Sequence, residues 1–160
     1  MKKLLIVWHS MTGGSEALAR AAAAGAEEAE VRLLHADAAG SDDMLAADGY
    51  LFVLPENLAA ISGVMKAFFD RVYYPCLGQI EGRAYAVIVC AGSDGSNAVR
   101  QAERIATGWR LKRVIDSIIV CTHAQTPEAI LAPKAIPEAD WLSARELGAT
   151  LAAGLSLGVF

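Results

Sequence analysis

Apolar residues gather in blocks along this chain. Residues 4–8 (Leu-Leu-Ile-Val-Trp), 49–54 (Gly-Tyr-Leu-Phe-Val-Leu) and 84–91 (Ala-Tyr-Ala-Val-Ile-Val-Cys-Ala) are almost uninterrupted apolar runs of strand length. Runs of that kind are expected of central parallel strands covered on both faces. Residues 30–35 are more polar and predict a strand at the sheet edge, with His35 at its exposed end; residues 114–122 predict a fifth strand. Helical spacing fills the intervals. An Ala-rich helix is expected over 15–27, a strong intrinsic helix former. A loop and short helix occupy 36–47, with Ser41-Asp42-Asp43 as the start signal. A helix over 62–74 presents Val64, Met65, Phe68, Phe69 and Val72 as its core face. Pro55 is expected to end the third strand and Pro75 to stop the helix. A helix over 97–107 is expected to be closed by Gly108. The last helix, over 137–153, follows a segment carrying Pro127, Pro133 and Pro137 that is long for a plain connection. Such a segment is expected to be functional or an interface element.

Strand and helix thus alternate five times. The pattern predicts an α/β fold: a doubly wound, five-stranded parallel sheet with helices on both faces, formed as one domain over residues 1–160. Ligands in such sheets bind beyond the carboxyl ends of the strands at the switch point. Three loops stand out there, after the first, third and fourth strands, and they are neighbours around one crevice if the strand order is 2-1-3-4-5, the flavodoxin-like one. The first is His9-Ser10-Met11-Thr12-Gly13-Gly14-Ser15, where a strand turns on two glycines into a helix N-terminus. Unpaired N–H groups, a partial positive charge and hydroxyl donors make this an anion cradle that needs no Lys or Arg. The same residues also suit a capped turn that binds nothing, and the loop alone leaves both readings open.

Composition narrows the classes. At 54% hydrophobic and 20% charged the chain can build a core, and its net charge of −4 argues against general nucleic-acid binding. Cys76, Cys90 and Cys121 form no Cys-x-x-Cys pair and read as reduced thiols of a cytoplasmic protein, Cys90 and Cys121 buried in strands. The apolar stretch near the N-terminus is too short for a signal peptide, and no run approaches a membrane span. Gly-x-Gly-x-x-Gly, Gly-Lys-Ser/Thr and Gly-x-Ser-x-Gly are absent, and Trp8-His9 and Leu54-Pro55 stand where a receiver domain needs acidic residues. Lys66 and Asp70 are spaced for an exposed helix pair. Arg100, Arg104, Arg110, Lys112 and Arg113 suit a solvated face, and Trp109 and Trp141 are expected to pack. His9 either meets a ligand or serves as a polar loop residue.

The motifs together resemble a known family. Ser10, Thr12 and Gly13 fall in step with the flavodoxin phosphate-loop signature Ser-x-Thr-Gly-x-Thr, and Ser15 stands where that family usually has Thr. The segment from Pro55-Glu56-Asn57 to Lys66 and Asp70 is similar to the hallmark of NAD(P)H-dependent FMN reductases and WrbA-like quinone reductases. Ala91-Gly92-Ser93-Asp94-Gly95 resembles their third flavin loop. This resemblance implies a flavodoxin-like fold that binds FMN noncovalently. It places the phosphate on Ser10, Met11, Thr12, Gly13, Gly14 and Ser15. It lines the isoalloxazine with Pro55, Glu56, Asn57, Leu58 and Ala59, and closes the other side with Gly92, Ser93, Asp94 and Gly95. The implied activity is hydride transfer from NAD(P)H through FMN to a flavin or quinone acceptor. The alternatives are a flavodoxin-type single-electron carrier and a flavodoxin-like binding module without flavin. Partners are small-molecule donors and acceptors, with a homo-oligomer compatible with the resemblance and with the apolar tail 155–160. No side-chain acid, base, nucleophile or metal ligand is expected, since the chemistry belongs to the flavin. One departure is plain: Asn57 replaces the family's aromatic, which leaves one ring face open.

Overall fold

The apolar runs form a sheet because both of their faces are covered. The computed structural model describes Met1 through Phe160. In chain order it contains β1 (Lys3–Trp8), α1 (Gly14–Gly25), β2 (Glu30–His35), α2 (Ser41–Ala46), β3 (Gly49–Asn57), β4 (Ala60–Ile61), α3 (Gly63–Cys76), β5 (Ala84–Ala91), α4 (Ser96–Gly108), β6 (Lys112–Arg113), β7 (Ile118–Cys121), α5 (Pro127–Leu131) and α6 (Glu138–Leu157). The strands lie in the order β2-β1-β3-β5, with β6 and β7 both on the outer edge of β5. All of these pairings are parallel; only β4 folds back antiparallel on β3. The expected flavodoxin-like order is therefore present, with β6 and β7 together in the fifth place. The polar strand β2 occupies the opposite edge.

Two cores flank the sheet. Leu5, Val7, Phe52, Leu54, Val87 and Val89 face α2, α3 and α4, where Met44, Met65, Phe68, Phe69 and Trp109 complete one cluster. Leu4, Ile6, Leu51, Val53, Ala86 and Ile88 face α1 and α6 and meet Leu18, Ala22, Leu147 and Leu151. Alternation of these side chains between faces is the strand period of two. Arg83, just before β5, ties one end of the sheet. Its guanidinium donates to the carbonyls of Met44, Leu45 and Ala47 and to the Tyr50 hydroxyl. Those carbonyls end α2 and have no acceptor role within the helix.

Several boundaries differ from the sequence expectation, each for a local reason. β3 does not stop at Pro55 but continues to Asn57. In a parallel ladder a residue points both backbone groups to one neighbour. Val53 bonds toward β1, where its carbonyl accepts from His9 N. Pro55 points the same way, past the end of β1, so its missing N–H costs no ladder bond. Pro75 lies inside α3, one residue before its end, where it forfeits a single helical bond. Gly108 is the last residue of α4 and not its left-handed cap; Arg110 takes that conformation with φ 59°. Glycine at 108 leaves room for the Tyr73 ring, whose hydroxyl a Cβ there would press against. The fifth strand is broken between Arg113 and Ile118. There Glu103 accepts from the Arg113 guanidinium at 2.8 Å and from the Ser117 hydroxyl at 2.7 Å, so one side chain of α4 spans the break. Cys121 is only half-buried because β7 is an edge strand. Trp141 is 37% exposed, unlike the fully packed Trp109. The last helix runs on to Leu157, burying Leu155 while Leu157 and Val159 stay exposed.

Candidate functional site

A crevice opens at the carboxyl ends of β1, β3, β5 and β7. Its walls are Ser10, Met11, Thr12, Gly14 and Ser15; Pro55, Glu56 and Asn57; Cys90, Ala91 and Gly92; and Thr122, Ala124, Ile130 and Lys134. The three loops singled out in the sequence do meet there, as the strand order requires.

The first loop is built by its own backbone. Gly13 adopts φ 97°, a left-handed conformation that glycine takes without strain, and directly precedes α1. Its N–H donates to Ser10 Oγ at 2.9 Å, which closes the turn. Ala17 N then donates to Gly13 O, leaving the N–H groups of Gly14, Ser15 and Glu16 without acceptors inside the helix. Ser15 is 99% buried, as its exposure of 1% shows, and its Oγ has no hydrogen-bond partner. A buried hydroxyl without a partner costs about 1–3 kcal/mol. Its position in the crevice wall, at a positive helix end, is that of a donor awaiting an acceptor.

Glu56 does not stand free in the crevice. Its carboxylate accepts from Gly95 N at 3.0 Å and from Ala98 N at 3.4 Å. It thereby caps α4 from a distant strand, and negative charge at a helix N-terminus is favourable. Two further bonds fasten the β3–β4 hairpin to the same helix: Asn97 Nδ2 donates to Ala59 O, and Ile61 N donates to Gln101 Oε1. The second and third loops therefore form one braced unit. His9 braces the other side, with Nδ1 at 2.7 Å from the hydroxyl of buried Ser62 at the start of α3. Burial lowers the His9 pKa, assisted by neighbouring His35 and opposed by Asp37.

The hairpin tip is strained. Asn57 pairs with Ala60, so Leu58 and Ala59 make a two-residue turn, with φ of 50° and 62°. Two consecutive positive φ values mark the type I′ turn, which favours Gly and Asn. Each left-handed non-glycine residue costs roughly 1–2 kcal/mol. Ala59→Gly is accordingly expected to raise stability by about 0.5–1 kcal/mol after the entropy of glycine is counted, a rise of a few degrees in a thermal melt. An unchanged or lower melting point would show that the turn is not strained. Leu58 is fully exposed at this tip.

Of the residues expected at the site, Ser10, Met11, Thr12, Gly14, Ser15, Pro55, Glu56, Asn57 and Gly92 line the crevice. Gly13 shapes the first turn from behind, and Leu58 and Ala59 lie at the hairpin tip. Ser93 and Asp94 face solvent. Asp94 accepts from Ser96 N, and its hydrogen bonds to Ser96 lower its pKa. Gly95 is buried as the residue before α4, with φ 85°. Lys66 and Asp70 form the exposed helix pair.

The structure also adds wall residues that the motifs did not name: Cys90, Ala91, Thr122, Ala124, Ile130 and Lys134. Burial pushes the Cys90 thiol up to about 11, against the pull of the Lys134 ammonium. The length of the Pro-rich segment was the one sign that Ile130 and Lys134 belonged here. No aromatic side chain lines the crevice.

A family model described as NADPH-dependent FMN reductase matches residues 36–125. The chain belongs to that family. Its fold is flavodoxin-like. The family match takes in the β3–β4 hairpin and the loop after β5, while the phosphate loop and Lys134 lie outside it. A protein named flavodoxin from Aquifex aeolicus is 39% identical over 103 residues, which is 62% of this chain and 56% of that protein's own length. Among solved structures, an archaeal flavodoxin superposes with a TM-score of 0.77 at 16% identity, covering 96% of this chain and 98% of its own. A WrbA-like flavodoxin from Agrobacterium tumefaciens gives 0.72 at 19% identity, covering 98% and 99%. At that identity the two structures speak for the fold. No helix is long and apolar enough to cross a membrane.

Proposed function

We propose that the crevice holds FMN noncovalently and that this family member is an NAD(P)H-dependent oxidoreductase acting on a flavin or quinone acceptor. The observation that carries the site is the Ser15 hydroxyl, buried without a partner at the N-terminus of α1. A terminal phosphate is the anion that such a cradle fits. Met11, Thr12, Gly14 and Ser15 bind it through backbone N–H and hydroxyl donors, and Ser10 and Gly13 keep the turn in shape. Pro55, Glu56 and Asn57 line one side of the ring, and Ala91 and Gly92 the other. When bound, FMN supplies the hydride-accepting and electron-donating chemistry, and the chain supplies position and electrostatics. The lack of an aromatic in the crevice supports an uncovered ring face, which suits stacking by a nicotinamide. The second reading, an electron carrier serving a protein partner, is favoured by the flavodoxin name of the Aquifex relative.

Flavin titration and turnover test these readings together. Purified protein is expected to bind FMN and to oxidise NADH or NADPH with a quinone acceptor. Flavin binding without any pyridine-nucleotide oxidation favours the carrier, and failure to bind added FMN overturns both. Ser15→Ala sharpens the test through opposite signs. It is expected to weaken FMN about 10-fold, by loss of a hydrogen bond to a charged group, while the flavin-free protein is as stable as before or slightly more so. Equal FMN affinity in the variant would count against Ser15 as a phosphate donor.

A further inference from the structure

The phosphate end of the crevice is closed by a segment from far along the chain. After β7 the backbone turns out through His123, at φ 58°, and forms α5, which buries no residue. It is pinned again where Lys134 N donates to Thr12 O at 2.9 Å, in the phosphate loop itself. The Cβ of Lys134 lies over Gly14. A Cβ on that glycine would sit 3.5 Å from Lys134 Cβ and 2.8 Å from Cys90 Sγ. The ammonium has no carboxylate partner. It donates to the carbonyls of Ala129, Ile130 and Ala132 at the end of α5. Those acceptors are neutral, so the positive charge remains uncompensated beside a loop that holds an unpartnered buried hydroxyl.

We propose that Lys134 is a specificity-determining residue for the phosphate, moving its ammonium from the α5 carbonyls onto a phosphomonoester seated in the Ser10–Ser15 loop. This rests on the proposed FMN site. A phosphomonoester carries a charge of roughly −1.5 to −2 near neutral pH, more than backbone N–H dipoles balance. The α5 carbonyls carry no net charge, so a phosphate adds an attraction between full opposite charges that the present bonds lack, and this favours the exchange of partners. The flexible four-carbon stem of lysine permits the move while the backbone stays tied to Thr12. The device separates phosphorylated from unphosphorylated flavin, which bare hydroxyl and amide donors do less sharply.

The test is titration of FMN and riboflavin, followed by flavin fluorescence, into wild type, Lys134→Met and Lys134→Arg. Lys134→Met keeps most of the apolar stem and is expected to weaken FMN about 10-fold while leaving riboflavin unchanged. Lys134→Arg restores most of the FMN affinity. Added sodium chloride weakens FMN binding more in wild type than in Lys134→Met. The stabilisation of the melt by saturating FMN is smaller in Lys134→Met, a readout that holds even if the segment itself loosens. Equal losses for FMN and riboflavin would overturn the proposal, since they mark a purely supporting role. Unchanged FMN affinity would overturn it as well, with the proposed site left standing. Wild-type protein that binds neither flavin would overturn the proposed function and this role with it.

Discussion

Gly148→Val is expected to destabilise the protein by about 3 kcal/mol or more, seen as a fall of roughly 10 °C in the melting temperature. Helices α1 and α6 cross with their backbones almost in contact. A Cβ at Gly148 would lie 2.0 Å from Ala22 O and 2.7 Å from Ala22 C. A Cβ at Gly25 would lie 2.0 Å from Arg145 O. The obstructing atoms are backbone, so no rotamer change relieves them, and the helices must separate. Ala22, Ala144 and Ala152 are fully buried around the crossing and lose their packing when that happens. The effect reaches the crevice, because α1 begins at the phosphate loop and α6 follows the segment that carries Lys134. FMN affinity should therefore fall along with stability. Gly63→Ala is the control: nothing lies within 4 Å of a Cβ there, and it is expected to be neutral. A Gly148→Val protein as stable as Gly63→Ala would refute the close crossing.

Glu56→Ala is expected to lower stability by about 2 kcal/mol and to weaken FMN at least about 10-fold. The carboxylate is the acceptor for Gly95 N and Ala98 N, so its removal leaves the start of α4 without its remote cap. The same cut frees the loop after β5 from the β3–β4 hairpin, and these are the two walls assigned to the ring. Glu56→Gln should fall between alanine and wild type. One amide oxygen can still accept, but the charge that favours the helix N-terminus is gone. Thermal melts and FMN titrations of the two variants check this. A Glu56→Ala protein with wild-type stability but reduced FMN affinity would mean that Glu56 acts on the ligand alone. Loss of stability with unchanged affinity would remove these walls from the flavin site.

The arrangement of β1, β3 and β5 was legible because burial on both faces demands long apolar runs, and Leu4–Val7, Tyr50–Leu54 and Ala84–Ala91 are such runs. The alternation of strand and helix gave a doubly wound sheet, and the resemblance to flavodoxins supplied the strand order and with it the meeting of three loops. The phosphate loop was legible as a candidate, since a strand, a glycine turn and a helix start are all local in sequence. The roles of proline and glycine were less so. Pro55 continues a strand because its neighbour β1 has already ended, and Gly108 answers to the Tyr73 hydroxyl from another helix. Neither neighbour is written near the residue concerned.

Residue pattern by itself thus determined the strands, their parallel alternation with helices and the cradle at the end of β1, because periodicity and backbone preference act over a few residues. Only the tertiary structure decided which side chains meet across the crevice. It turned Glu56 toward α4, left the Ser15 hydroxyl buried without a partner, and brought Lys134 onto Thr12. These contacts join residues as far apart as 12 and 134. They depend on how every intervening element packs, and no local spacing encodes that sum.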